Sequence, residues 1–239
     1  MAKSKNPNEI AFTTPRAPAV YPKLDLANPD YGTEEHAIEG GNFSCQIRVL
    51  KSDPAVKALL GKLEKLMEIS EREAEELFAK LPVAARKKLK DTTTRNEFVT
   101  ECYDEDENET GEIILKFKMK HSGVVKKTGK AWKRYPQLID AKLQPLKKGT
   151  QIWGGSIVKL SASAAPYFIP ASGAYGVSLR LEGVQVLELV TAGGRSASSL
   201  GFEAEEGYDA DEGFQAETPE DDAGDSSDDD KTPAGSDDF

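Results

Sequence analysis

Residues 113–120 read Ile113-Ile114-Leu115-Lys116-Phe117-Lys118-Met119-Lys120, apolar and cationic in alternation from Leu115 onward. Successive side chains of a strand point to opposite faces, so Leu115, Phe117 and Met119 share one face and Lys116, Lys118 and Lys120 the other. The first face suits the interior of a β-barrel. The second is a row of cations.

The same period recurs along the chain. In residues 43–50, Phe43, Cys45, Ile47 and Val49 share one face while Gln46 and Arg48 share the other, which is the pattern of a half-buried strand. Further strands are predicted at 136–142, 151–164 and 174–191, with turns near Gly123, Gly129, Gly149 and Pro170–Gly173. Residues 1–30 are punctuated by Pro7, Pro15, Pro18, Pro22 and Pro29 and should be mostly extended. A helical insertion interrupts the strands at about 53–90. Asp53-Pro54 opens it, and Val56, Leu59, Leu60, Leu63 and Met67 follow at helical spacing. Ser70 with Glu73 matches a capping box and predicts a second helix through Leu77 and Phe78. Pro82 then allows a short basic helix, Ala84 to Lys90. Residues 104–112 form an acidic turn without the ligand spacing of a calcium loop. These elements predict an all-β fold with a helical insertion, and a small closed barrel rather than an α/β layer.

Charge divides the chain in two. It carries 31 Lys/Arg and 41 Asp/Glu, a net charge of −10. The last 37 residues, 203–239, hold 16 Asp/Glu and one Lys, so residues 1–202 are net +5 and the tail is −15. The expected organisation is one domain over 1–202 and a disordered acidic tail over 203–239, too poor in large aliphatic residues to join a core. A polyanion on a basic body can compete with nucleic acid for a basic groove, or present a peptide to a basic partner. Its end, Asp237-Asp238-Phe239, sets one apolar anchor beside a free carboxylate. Cys45 and Cys102 form no disulfide framework and are expected to stay reduced. No run of about 18 apolar residues and no signal-peptide core is visible, so the reading is soluble, intracellular and without a membrane.

Catalysis finds little support. His36 and His121 sit in no metal-ligand or triad-like pattern, and there is no phosphate-binding loop, CxxC or HExxH. No catalytic residue, metal or cofactor is expected. The segment 113–160 instead carries Lys116, Lys118, Lys120, Lys126, Lys127, Lys130, Lys133, Arg134, Lys142, Lys147, Lys148 and Lys159 against one acid, Asp140. Trp132 and Tyr135 lie among these cations, and Trp153 follows. Cations that track phosphates, with rings on which bases stack, are what a single strand of nucleic acid requires. A lysine-rich solvated face with its aromatics in the core is the plainer alternative.

The chain resembles the gene-2.5-type single-stranded-DNA-binding proteins of short-tailed bacteriophages. The matching pieces are Pro29-Asp30-Tyr31-Gly32-Thr33-Glu34-Glu35, Leu115-Lys116-Phe117-Lys118, Gly154-Gly155-Ser156, Ala165-Pro166-Tyr167, the stretches 176–182 and 190–194, and the acidic tail ending in Phe239. The resemblance implies an OB fold, a five-stranded Greek-key barrel, with a helix inserted between strands. It implies DNA in a basic, aromatic-lined groove and carries a DNA role to Tyr31, Lys116, Lys118 and Tyr167. It implies roles in DNA replication, recombination and repair in the host cell cytoplasm. It also implies that Asp237, Asp238 and Phe239 dock on the phage DNA polymerase and helicase/primase. The family pattern has an aromatic two residues after the Pro-Tyr tyrosine; this chain has Ile169 there, beside Phe168.

The resulting DNA-binding candidates are Tyr31, Arg48, Lys116, Lys118, Lys120, Lys126, Lys127, Lys130, Trp132, Lys133, Arg134, Tyr135, Trp153 and Tyr167. Two rivals remain: an acidic-tailed protein-binding module or chaperone, and an OB-fold enzyme such as a nuclease. A homodimer is left open.

Overall fold

The strand expected at 113–120 begins four residues earlier, at Glu109, and ends at Lys120. It belongs to a computed structural model that describes residues 7–190. In chain order the elements are β1 (Ile10–Thr13), β2 (Ala17–Lys23), β3 (Asp30–Gly32), β4 (Ala37–Leu50), α1 (Pro54–Ala79), α2 (Val83–Lys88), β5 (Thr94–Asn96) and β6 (Val99–Tyr103). There follow β7 (Glu109–Lys120), β8 (Ser122–Val124), β9 (Ala131–Lys133), β10 (Gln137–Ile139), β11 (Ile157–Ile169) and β12 (Ala174–Glu188).

Five strands close on themselves in the order β2-β4-β7-β12-β11 and back to β2. Neighbours are antiparallel except β7 and β12, which run parallel with Arg180 opposite Lys118. Numbered by their order in the chain, these strands are arranged 1-2-3-5-4, the OB arrangement. Closure removes the exposed edges that five separate strands would present. It is thin at two joins: between β7 and β12, where Arg180 and Lys118 are the one pair in register, and between β2 and β11, where Pro18 and Ala17 are in register with Ile157 and Val158. Of the other strands, β1, β3, β5, β6 and β10 pair on the outside of this ring, and β8 and β9 form a separate hairpin.

The interior is the apolar half of each alternating strand. Phe43, Cys45 and Ile47 of β4, Ile113, Leu115 and Phe117 of β7, Val158 and Leu160 of β11, and Leu181 of β12 are all buried in one cluster. Burial pushes the Cys45 thiol up to about 12, which leaves it protonated and unreactive at neutral pH.

The insertion differs from its sequence reading. Asp53 caps α1, accepting from the backbone N–H groups of Ala55 at 2.7 Å and Val56 at 3.3 Å, and Pro54 occupies the first helical position. The helix then runs unbroken for 26 residues, with no second helix starting at Ser70. Ser70 faces inward and is buried. Its hydroxyl bonds the carbonyls of Tyr167 and Gly176, each at 2.9 Å, and receives the Gly176 N–H at 3.2 Å. A tertiary partner thus takes the hydroxyl that a cap would have used. The face of Leu59, Leu63, Leu66, Met67 and Ala74 packs α1 on the β11–β12 end of the barrel. The short basic helix starts one residue earlier than expected and ends at Lys88.

Other boundaries moved for local reasons. The strand expected at 136–142 shrinks to β10 because the Asp140 side chain accepts from the N–H groups of Lys142 and Gln144, both at 2.8 Å, and turns the chain. The strand expected at 151–164 starts at Ile157, after a turn at Gly154–Gly155, and runs on to Ile169. Gly123 is not a turn but a strand residue of β8; a Cβ there would sit 2.8 Å from the Trp132 ring, so the glycine makes room for an indole. The expected strand 174–191 is β12, and Thr191 lies outside the described residues.

Candidate nucleic-acid interface

Because Leu115 and Phe117 are committed to the core, Lys116, Lys118 and Lys120 project outward from β7, and all three are exposed. Their cross-strand neighbours on β4 are Gln46, Ser44 and Asn42, which are polar and add no competing charge. A bulge in β2 between Val20 and Lys23 brings Lys23 opposite Ser44, in the same patch. Sequence reasoning missed Lys23, since its registry depends on the bulge.

One carboxylate answers these cations. Asp30 on β3 accepts from Lys23 Nζ at 2.7 Å. That hydrogen bond, and the field of Lys23 and Lys116, hold its carboxyl below the ordinary range despite partial burial. Lys118 moves the other way for a lysine. Desolvation lowers its pKa first, the Lys116 charge lowers it further, and Asp30 opposes both. A phosphate arriving here meets several fixed cations and can displace an anion already placed among them. Arg48 also faces outward, half-exposed, with Glu112 at 4.0 Å.

Tyr31 flanks this patch from β3. Its ring lies on Gly41, where a Cβ would come within 2.9 Å, and the tyrosine is 55% exposed. On the β2 side, Trp153 and Tyr21 line an apolar cleft of about 560 Å³ with Pro18, Pro22, Ile152 and Arg48. Sequence reasoning placed Trp153 in an apolar strand; it sits instead in the turn before β11, 43% exposed. Tyr21 was not among the sequence candidates.

The remaining cations occupy the β8–β9 hairpin. Its loop exposes Lys126, Lys127 and Lys130, and Lys133 and Arg134 follow at the end of β9. Trp132 lies against Gly123 on one side, and the Arg134 guanidinium stands 4.7 Å over its ring. Tyr135 is half-exposed, but its ring packs at 4.9 Å on His121 and 5.9 Å on Phe43. Ser122 donates to the Gly40 carbonyl at 2.8 Å, which ties the hairpin base to β4.

Tyr167 stands apart. It is cross-strand from Gly176, four residues along β12 from the Arg180 that neighbours Lys118, so it lies about 13 Å further toward α1. Its hydroxyl accepts from Asn96 at 3.0 Å. Phe168 packs against the core, and Ile169 is exposed. Asp237, Asp238 and Phe239 lie outside the described residues. Among the described residues no group of His, Cys, Asp and Glu is arranged to hold a metal ion, and no helix is long and apolar enough to cross a membrane.

Comparison with known proteins bears on this arrangement. The family model described as single-stranded DNA-binding protein, bacteriophage T7, matches residues 18–189. The single-stranded DNA-binding protein of Enterobacteria phage T3 is 29% identical over 192 residues, 78% of this chain and 79% of its own length. The single-stranded DNA-binding protein of Escherichia phage T7 is 29% identical over 205 residues, 84% of this chain and 85% of its own. Among solved structures, gp2.5, a single-stranded DNA-binding protein encoded by bacteriophage T7, superposes with a TM-score of 0.58 at 24% identity, covering 82% of this chain and 98% of that one. The last likeness concerns the fold.

Proposed function

We infer the function from one premise: the chain belongs to the family of the bacteriophage T7 single-stranded DNA-binding protein. It is a single-stranded DNA-binding protein, a binder rather than an enzyme. The observation that carries the site is the lysine row of β7, extended by Lys23 and set across β4 from the uncharged Gln46, Ser44 and Asn42. Phosphates of an incoming strand take the place of the Asp30 carboxylate beside Lys23, Lys116 and Lys118. Exposed rings beside the row, Tyr31 first, offer their π-faces to bases. Neither interaction reads base edges, so binding tolerates any sequence.

The hairpin cations Lys126, Lys127, Lys130 and Lys133 extend the positive field in which the strand is captured. Tyr167 is too far along the barrel to share a base with Tyr31 and serves, on this reading, a longer bound strand or the packing of β5. The protein acts in phage DNA replication, recombination and repair, in the host cell cytoplasm. Its acidic tail competes with DNA for the basic face and is freed for protein partners when DNA binds. The phage DNA polymerase and helicase/primase are the proposed partners, with Phe239 as the anchor and Asp237 and Asp238 as its charged flank. The rival chaperone reading needs no basic groove.

Filter binding with single- and double-stranded oligonucleotides, with and without a divalent cation, tests the reading. We expect single strands to be retained in preference to duplex, without metal and without cleavage. Removal of residues 203–239 should tighten binding at low salt, with a gain that shrinks as salt rises. Phe239→Ala should leave DNA affinity intact and abolish retention of the polymerase. Retention of neither nucleic acid would return the chain to the protein-binding reading.

A further inference from the structure

The lysine row leaves one residue unaccounted for. Tyr21 has a backbone φ of 45°, in the left-handed region that side chains with a Cβ rarely adopt. It precedes Pro22, which favours extended backbone in the residue before it. It is also 77% exposed, so burial of its ring does not compensate for the strain. The strain comes from the β2 bulge between Val20 and Lys23, and bulges of this kind re-aim a side chain. Here the bulge holds a tyrosine at the wall of the cleft that also holds Trp153.

The opposite wall is fixed as firmly. The turn that carries Trp153 is bound to β2 on both sides of Ala19. The Ala19 N–H donates to the Ser156 carbonyl at 2.8 Å, and the Gly155 N–H donates to the Ala19 carbonyl at 2.9 Å. Gly155 has a φ of 88°, which its lack of a Cβ permits. Two large exposed rings are thus held on rigid elements around an apolar space, with Pro18 and Pro22 beside them. Lys23 and Arg48 line the same cleft, and Lys23 belongs equally to the cation patch around Asp30. The cleft is therefore continuous with the face that meets the phosphates.

We propose that this cleft is a pocket for a nucleobase turned out of the bound single strand, packed against Tyr21 and Trp153, with Lys23 and Arg48 on the phosphates that flank it. The proposal rests on the single-stranded DNA reading and adds to it a discrete site for a base. A base suits the space because it is flat, largely apolar on its faces and joined on each side to an anion. The pocket makes no demand on base edges, so it adds affinity and register without adding sequence preference. An apolar side chain of a protein partner would fit the hydrophobic walls but would leave the two cations unanswered.

The test uses the full chain carrying Trp132→Phe, in which Trp153 is the only indole, since the sequence has 2 tryptophans. It is titrated with oligo-dT and with an abasic deoxyribose-phosphate oligomer of the same length and end label. Anisotropy reads binding and tryptophan emission reads the pocket. We expect oligo-dT to quench Trp153, and the abasic strand to bind more weakly without quenching it. Tyr21→Gly relaxes the positive φ and removes the exposed side chain, so the variant folds while losing one wall. It should bind oligo-dT about tenfold more weakly and the abasic strand as before, and Trp153→Leu should do the same. If both variants bind oligo-dT as tightly as their parent, or if oligo-dT binds without quenching Trp153, the base pocket is overturned and single-strand binding still stands. If neither oligomer binds, the single-stranded DNA reading fails and takes the pocket with it.

Discussion

On β7, Lys116, Lys118 and Lys120 project from a strand whose other face is barrel core; on the β8–β9 hairpin, Lys126, Lys127 and Lys130 project from a loop that touches no core at all. The two sets of three carry the same charge, with Lys133 of β9 additional to the loop set. They differ in what fixes each charge. Along β7 the spacing is set by a strand locked to β4 over nine register pairs, from Asn42↔Lys120 to Leu50↔Glu112. A strand of phosphates meets there a pattern whose backbone needs little further ordering. Immobilising a lysine side chain costs about 1–2 kcal/mol in either region, but in the hairpin the loop backbone that carries the lysines must be ordered as well. Equal charge is then unequal affinity: the barrel face grips, and the hairpin attracts.

The largest expected effect is on the gripping face. The triple variant Lys116→Ala, Lys118→Ala, Lys120→Ala should keep its fold, because none of the three is buried, and should lose most single-strand affinity. The slope of log K against log salt should fall by about 2, at roughly 0.7 for each phosphate that is no longer neutralised. Lys126→Ala, Lys127→Ala, Lys130→Ala should lose less affinity, and mainly through a slower association rate at low salt. Stopped-flow binding at two salt concentrations separates the two triples. Equal losses, distributed equally between on- and off-rates, would dissolve the distinction between them.

A smaller effect belongs to the anion inside the patch. Asp30→Asn keeps an acceptor for the Gly32 N–H, now at 3.1 Å, and removes the charge that holds Lys23. Single-strand binding should tighten a few-fold, in line with the roughly 0–1 kcal/mol typical of an exposed ion pair. Unchanged or weaker binding would mean that Asp30 positions Lys23 rather than competing for it.

The smallest effect is a shift in pH dependence. Phosphate favours charged Lys118, whose pKa in the free protein is lowered by desolvation and by Lys116. Affinity should therefore be complete while Lys118 is protonated and decline as pH rises through that lowered pKa, before ordinary lysines near about 10.4 begin to discharge. Lys118→Arg should remove the early part of the decline.

The barrel was legible in sequence where one face of a strand is core. Phe43 to Val49, and Leu115 to Met119, carry the period openly because inward and outward residues differ in polarity. The strands that went unread are short or carry no such contrast: β2 is Ala-Pro-Ala-Val-Tyr-Pro-Lys, and β8 and β9 have three residues each. The break predicted at Ser70 followed a local rule that a distant pair of carbonyls overrode. Among candidate residues, the lysine row could be read from alternation alone. The sequence ranks Trp132 above Trp153 as a stacking ring, because Trp153 falls in an apolar strand; it could not show that one of the cations near Trp132 covers its ring, or that bonds to Ala19 set the turn that exposes Trp153. Tyr21 and Lys23 gave no sequence signal, since their positions come from a bulge.

The thin join between β2 and β11 gives the barrel a latch. Pro18 has no N–H to contribute there, and the bonds that hold Ala19 to Ser156 and Gly155 lie just beyond it. Opening here breaks few bonds, so its amides should exchange with solvent sooner than those of the β4–β7 ladder. The same residues wall the Tyr21–Trp153 cleft. Whatever occupies the cleft therefore also fastens the cylinder, and occupancy becomes measurable as slower deuterium uptake at Ala19 and Gly155, on a protein whose average structure need not move at all.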